Sequence, residues 1–331
     1  MRRITRKQLI GLVILAVLAA AAIITRLLIY RGSDDSLIWS WPESGIAELR
    51  RTSIAVAAIA GVSLAVSGVL LQALLRNPLA SPFILGISSG AALGVMTAVY
   101  VGHLMGRSAA GGGAHPLPAL AGALTALCIV YLLGQRRGWL DPLSLVLVGV
   151  VVSAICGALI MFLQHLAPHG LRSDLVTWMM GYIHPDVPAA LLIATGATAL
   201  LGLAAGMALG RAMDAGTLED DEARSIGLAI GPLRLVMFLL AGVLTSAAVA
   251  LAGPIGFVGL IAPHAARLLL GPRHAVLVAG AALVGVVLLV GGDATCQVIN
   301  VSGGRMPVGV FTALVGGPAF IWLLRSGRGR A

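Results

Sequence analysis

Few side chains in this sequence are equipped for chemistry. Asp293 sits toward the outer end of a long apolar run, where an ionisable group is a functional candidate or, equally, a capping or structural partner. His264 lies in the string Pro263-His264-Ala265-Ala266-Arg267, where it could ligate, carry a proton or make a structural hydrogen bond, the last being the plainer reading. Of the 7 histidines, His103, His115, His165, His169 and His184 fall near one face of the spans drawn below. Their irregular spacing reads as solvated loop positions rather than as ligands for haem or metal. Cys128, Cys156 and Cys296 are odd in number, lack metal spacing and fall in apolar runs, so packing is their expected role. There is no pair of catalytic carboxylates, no Ser-His-Asp set, no H-E-x-x-H string and no G-x-x-x-x-G-K-[ST] phosphate cradle. The chain is therefore expected not to be an enzyme and to bind no nucleotide, metal or other cofactor itself.

The elements that hold these residues are set by composition. Hydrophobic residues make up 59% of the 331 and charged residues 11%, against about a quarter charged in soluble domains. Mean hydropathy is +1.00. Such a chain cannot cover a core with polar surface, so lipid is its solvent. The apolar runs reach helix-spanning length without the alternation of barrel strands. The expectation is an all-α integral membrane protein with about ten spans: Leu9–Tyr30, Ile54–Leu75, Gly86–Met105, Pro118–Leu133, Leu143–Leu163, Ala189–Leu209, Leu233–Leu251, Ile255–Leu270, Ala275–Val290 and Val308–Leu324. No linker divides them, so residues 1–331 read as one transmembrane domain.

The formal net charge of +9 comes without a basic stripe interleaved with aromatics, which argues against nucleic acid. With ten spans and the N-terminus inside, most of the 22 basic residues gather on one side, among them Arg6, Lys7, Arg136, Arg234, Arg273 and Arg325. Arg26, Arg31, Arg50, Arg51, Arg107, Arg172 and Arg305 lie on the other. This split fits the positive-inside rule with both termini cytoplasmic. The first span follows Arg2, Arg3, Arg6 and Lys7 and could pass for a signal peptide, but its length and the lack of a cleavage site followed by a soluble domain favour a retained helix.

Three loops stand out. The stretch 211–234 is the longest polar run and carries Glu219, Asp220, Asp221 and Glu222 in succession. The outer loop 164–188 holds Trp178 and Tyr182, either as an interfacial belt or on a short helix lying on the membrane. Pro and Gly interrupt the apolar pattern at Arg76–Pro82 and Gly253–His264. These are either ordinary tight turns or broken helices beside a transport pathway.

At these interruptions the sequence resembles the FecCD family, the permease subunits of type II ABC importers for iron–siderophores, haem and vitamin B12. The resemblance rests on Arg76-Asn77-Pro78-Leu79-Ala80-Ser81-Pro82, on Gly256-Phe257-Val258-Gly259-Leu260 with Ala262-Pro263-His264 and Arg267, on Asp293, on Pro307-Val308-Gly309 and on Trp178-Met179-Met180-Gly181. It implies a type II ABC importer permease fold in the bacterial cytoplasmic (inner) membrane, working as a homodimer. Two ABC ATPase subunits would bind ATP and Mg, and a periplasmic or lipid-anchored binding protein would deliver the ligand.

Residue roles follow from the same resemblance. The 211–234 loop would couple to the ATPase through Leu218, Glu222, Ala223, Arg224 and Gly227, with Glu219 and Asp220 standing where Gly and Glu are usual. Asn77 and Leu79 match one cytoplasmic gate loop, Pro142 and Leu143 the other. Arg50, with Arg51 beside it, would dock the binding protein, although Ser53 replaces the second arginine of that pattern and Gln297 and Arg305 also depart from it. Arg76, Pro78, Gly259, Pro263, His264, Arg267, Asp293, Pro307 and Gly309 are family-motif structural positions. The cargo expected is a bulky chelate, with a ferric siderophore first, haem or cobalamin next and a small oxyanion behind them. An ion-coupled secondary transporter is the competing class, but Asp293 would be its only intramembrane carboxylate. A membrane-embedded enzyme lacks the necessary residues.

Overall fold

A computed structural model describes residues 5–31, 36–106, 116–136, 138–168, 172, 176–301 and 304–327. Arg2, Arg3, Arg107, His115 and His169 lie outside the described residues. The helices are α1 (Arg6–Leu28), α2 (Ser44–Leu74), α3 (Ile87–Leu104), α4 (Pro116–Leu133), α5 (Pro142–Leu166), α6 (Ala189–Ala215), the short α7 (Asp220–Ser225), α8 (Ile230–Ala252), α9 (Val258–Leu270), α10 (His274–Val298) and α11 (Val308–Gly327). Among the described residues eight are long and apolar enough to cross a membrane, and α9 and α11 are shorter apolar helices. Together they match the ten expected spans one for one. Among the described residues three two-stranded antiparallel pairs trim the ends: Ile29–Arg31 with Leu37–Trp39, Gln135–Arg136 with Trp139–Leu140, and Asn300–Val301 with Gly304–Arg305.

The layering follows from which helices can afford close contact. In α2 and α8, 72% of the most apolar window is buried, against 22% in α1 and α6, so the first pair is central and the second peripheral. Close approach needs small residues, and α2 supplies them. A Cβ on Gly68 would stand 1.9 Å from the Gly259 carbonyl oxygen of α9. The two backbones touch there, which is how membrane helices associate when apolar burial gives no preference over lipid. The peripheral helices keep an apolar outer face instead: on α5, Leu147, Val151, Ile155 and Phe162 are all exposed. Such a face demands lipid or another membrane protein.

Several boundaries differ from the hydropathy reading. α2 begins ten residues before Ile54 because Glu48, Arg50 and Arg51 interrupt hydropathy without interrupting the helix. α10 continues past Val290 through Asp293 to Val298. The outer-loop aromatics are not a belt. Residues 176–179 form a helical turn, and Trp178 is buried in the main core cluster. Cys128 is exposed on α4, so packing explains only Cys156 and Cys296.

The break between α8 and α9 is real and strained. Gly253 has φ +69° and Phe257, a non-glycine N-cap, has φ +67°. Phe257 packs where Gly316 of α11 leaves no room for a side chain, since a Cβ there would be 2.7 Å from Phe257 Cβ. The carbonyl of Ala252, freed at the helix end, accepts from Tyr182 N at 2.9 Å, and Gly181 O accepts from Gly309 N at 3.1 Å. Protein thus supplies a partner for one of the carbonyls freed at the break.

Candidate functional site

Three loops meet at one end of the bundle: 75–81 after α2, 134–141 before α5, and 214–229 around α7. Arg76 reaches the third loop twice, donating Nε–H to Gly216 O at 3.0 Å and pairing Nη2 with Asp220 Oδ1 at 2.7 Å. Arg234, at the start of α8, donates to the same Asp220 oxygen at 2.9 Å. Upstream, Asp214 accepts from His274 N at 2.9 Å and contacts His274 Nδ1 at 2.7 Å, fixing the loop to the start of α10. A cleft of about 760 Å³ opens between the second and third loops, lined by Trp139, Asp141, Arg224, Leu228 and Arg234 among others. A second, of about 750 Å³, opens between the first and third loops and includes Gln72, Asn77, Thr217, Arg267 and Arg273. Arg267 Nη2 donates to Gln72 Oε1 at 3.1 Å across it.

Of the residues expected to couple to an ATPase, Glu222, Ala223 and Arg224 sit on the six-residue α7, whose two faces differ, with Leu218 before it and Gly227 after it. Ala223 is fully buried and Leu218 and Glu222 are exposed. Arg224 is two-thirds exposed, and its pairing with Asp221 at 3.6 Å is loose. Gly227 has φ +84°, which only glycine adopts cheaply, yet nothing lies within 4 Å of a Cβ built there. The need for glycine is therefore conformational rather than steric: a larger residue would meet backbone strain and not a neighbour.

Each position expected to form a gate has a local cause for its geometry. Asn77 Oδ1 accepts from Leu79 N at 2.9 Å, an Asx turn that presents Pro78 and Leu79 to solvent. Arg76 just before it has φ +47°, a second non-glycine residue in the left-handed region. Pro142 opens α5 at N1, where its missing N–H costs nothing, and leaves Leu143 exposed. Asp141 caps that helix, accepting from Ser144 N at 2.8 Å and from Ser144 Oγ at 2.7 Å. These bonds hold its carboxyl below the ordinary carboxylate range, against a smaller opposing effect of burial.

At the opposite end the charges behave differently from expectation. Asp293 is wholly buried and paired with both Arg26 of α1 and Arg305. With its carbonyl oxygen turned toward the cations, Gln297 accepts from Arg26 Nη2 at 3.1 Å and from Arg305 Nη2 at 3.0 Å. Arg305 also lies over the Tyr182 ring, which packs on His184. Arg50 is buried as well: it stacks on Tyr30 with its guanidinium carbon 4.1 Å from the ring centroid and donates to Leu27 O at 2.6 Å. Only Arg51 of the docking pair is exposed. His264 is half-buried on α9, three residues before Arg267. No group of three His, Cys, Asp or Glu side chains that could hold a metal occurs among the described residues.

A bundle that among the described residues has eight membrane-length helices and two shorter apolar ones, broken between α8 and α9 and carrying a polar helical loop bracketed by basic residues at one end, has the architecture of an importer's permease. The FecCD transport family model matches residues 9–326, and the chain belongs to that family. It is the non-catalytic membrane component of an ABC importer and not the ATPase. Relatives include a cobalamin import system permease of Halobacterium salinarum, 38% identical over 86% of this chain and 74% of its own. A hemin transport system permease of Yersinia pestis is 35% identical over 96% of this chain and 93% of its own. A solved inward-facing structure of a metal-chelate type ABC transporter superposes with a TM-score of 0.81 at 28% identity, covering 96% of this chain and 99% of that one.

Proposed function

We propose that this chain, as one transmembrane domain over residues 1–331, forms the translocation path for a bulky metal chelate in a bacterial inner-membrane importer. The observation that carries the reading is the full-length likeness to the metal-chelate type transporter, at a TM-score of 0.81. Relatives named for cobalamin, hemin and Fe(3+) dicitrate support cargo of that class. A ferric siderophore is the first cargo to test, with haem and cobalamin next. The path would run along the axis of a homodimer. Two ABC ATPase subunits, carrying ATP and Mg, would dock on Leu218, Glu222, Ala223, Arg224 and Gly227. Asn77, Leu79, Pro142 and Leu143 would close the cytoplasmic mouth, and a periplasmic or lipid-anchored binding protein would dock near Arg51. Both termini would then be cytoplasmic, on the side of most of the arginines.

The lack of a metal-ligating cluster among the described residues agrees with a path that passes an intact chelate and does not strip its metal. The direct test is ATP-dependent uptake in proteoliposomes holding the permease, its ATPase and its binding protein. Uptake should require the intact chelate, and free metal ions carried equally well would refute the bulky-cargo reading. For orientation, single cysteines at Gly138 and Asp186 in a cysteine-free background should react with an impermeant reagent from opposite sides. Labelling of both from one side rules out the ten-span arrangement.

A further inference from the structure

We infer that Asp220 is the strut that carries motion of the ATPase-facing helix into the Asn77–Leu79 gate loop. The inference rests on the permease reading and adds to it one residue acting through others. The short helix α7 has an inner face, Asp220 and the buried Ala223, and an outer face, Asp221, Glu222 and Arg224. Asp221 is 97% exposed, so the outer face is open to a partner. Asp220 is two-thirds covered and turned inward, where its Oδ1 takes both Arg76, at 2.7 Å, and Arg234, at 2.9 Å.

The two arginines anchor different bodies. Arg234 is the fifth residue of α8 and only 14% exposed, so it keeps Asp220 aligned with the base of that helix. Arg76 belongs to the gate loop and grips the coupling loop at two points, Gly216 O and Asp220, on either side of the turn between α6 and α7. Its guanidinium also completes the C-terminal cap of α6, where cations are favoured. Arg76 is held in the left-handed region directly before Asn77, whose side chain sets the position of Leu79. A displacement of α7 must therefore drag the Arg76 side chain and turn the backbone that carries Asn77 and Leu79, or else break the pair. Both partners are about one-third exposed, so the pair contributes little to stability. Its geometry is suited to transmission.

The experiment uses the complete transporter in proteoliposomes, with a fluorophore at Leu79→Cys reporting the gate loop. Asp220→Asn keeps the shape of the side chain and removes its charge. The variant should still co-purify with the ATPase and hydrolyse ATP at close to the wild-type rate. Chelate carried per ATP should fall roughly tenfold or more, and the Leu79 probe should lose its response to ATP. Asp220→Glu should retain both. Arg76→Gln should reproduce the defect, and the double variant Asp220→Asn/Arg76→Gln should be no worse than either single one. Wild-type coupling in Asp220→Asn, additive losses in the double variant, or failure of Asp220→Asn to retain the ATPase would each overturn the strut. If the wild-type chain shows no ATP-dependent uptake, the permease reading itself falls.

Discussion

Replacing Asp293 with asparagine should be among the most damaging conservative changes in the chain. The carboxylate is wholly buried and is shared by Arg26, 4% exposed, and Arg305, 20% exposed. Asparagine fits the space but offers one neutral oxygen and turns an NH2 donor toward the second guanidinium. Removing one partner from a buried ion cluster costs about 3–5 kcal/mol, because the remaining charges stay desolvated without compensation. At ~1.4 kcal/mol per decade, the unfolding equilibrium shifts by between two and nearly four orders of magnitude. Removing every charge, in Arg26→Met/Asp293→Leu/Arg305→Met, should restore most of the loss, since a packed apolar replacement is often neutral. The assay is equilibrium unfolding of purified protein in mixed micelles, followed by tryptophan fluorescence. A loss of under about 1 kcal/mol in Asp293→Asn, or a triple variant no better than the single one, would refute the reasoning.

Other substitutions separate backbone from side-chain causes. Gly68→Val places a Cβ where the Gly259 carbonyl oxygen is 1.9 Å away, so folded protein should be nearly absent on size-exclusion chromatography. Gly227→Ala and Gly227→Trp should impair ATPase stimulation to a similar extent, because both meet the same left-handed strain of about 1–2 kcal/mol in open space; wild-type activity in the alanine variant alone would point to a partner contact. Arg51→Glu should slow binding-protein association most at low salt, while Arg50→Glu should instead reduce the yield of folded protein. Asp141→Ala should destabilise by about 1 kcal/mol at pH 7 through loss of the α5 cap. Because the folded carboxyl titrates below the ordinary value of 3.8, that difference should hold above 3.8 and fade as pH falls through the folded value.

Hydropathy made the ten spans legible, since an unbroken apolar run of that length has few alternatives in lipid. Proline and glycine likewise marked the break at Gly253–Phe257, where backbone bonds must be surrendered. Side-chain direction was not legible. Arg50 and Arg51 are adjacent in sequence, yet a helix turns successive residues by about 100°, which sends the first inward to Tyr30 and the second to solvent. One partner of Asp293 lay beyond local pattern altogether: Arg305 is only 12 residues on, whereas Arg26 is 267 residues away, and no periodicity spans that distance. The same holds for Asp220. The acidic run around it reads as four equivalent carboxylates, and only the fold distinguishes the one aimed at Arg76 from the nearly fully exposed Asp221 beside it.

The Arg26–Asp293 pair also sets an order on the birth of the molecule. α1 leaves the ribosome first, and its charge partner is made 267 residues later. At roughly 5–20 residues per second that is an interval of roughly 15–50 seconds. During it the first helix is already in the bilayer with a cation, Arg26, in its last turn, where a long side chain can snorkel to the headgroups and wait. The peripheral α1 is thus held by lipid before it is held by protein, and its docking on α10 is a late step of assembly. A chain released before α10 is complete would lack Asp293 and leave Arg26 without that partner.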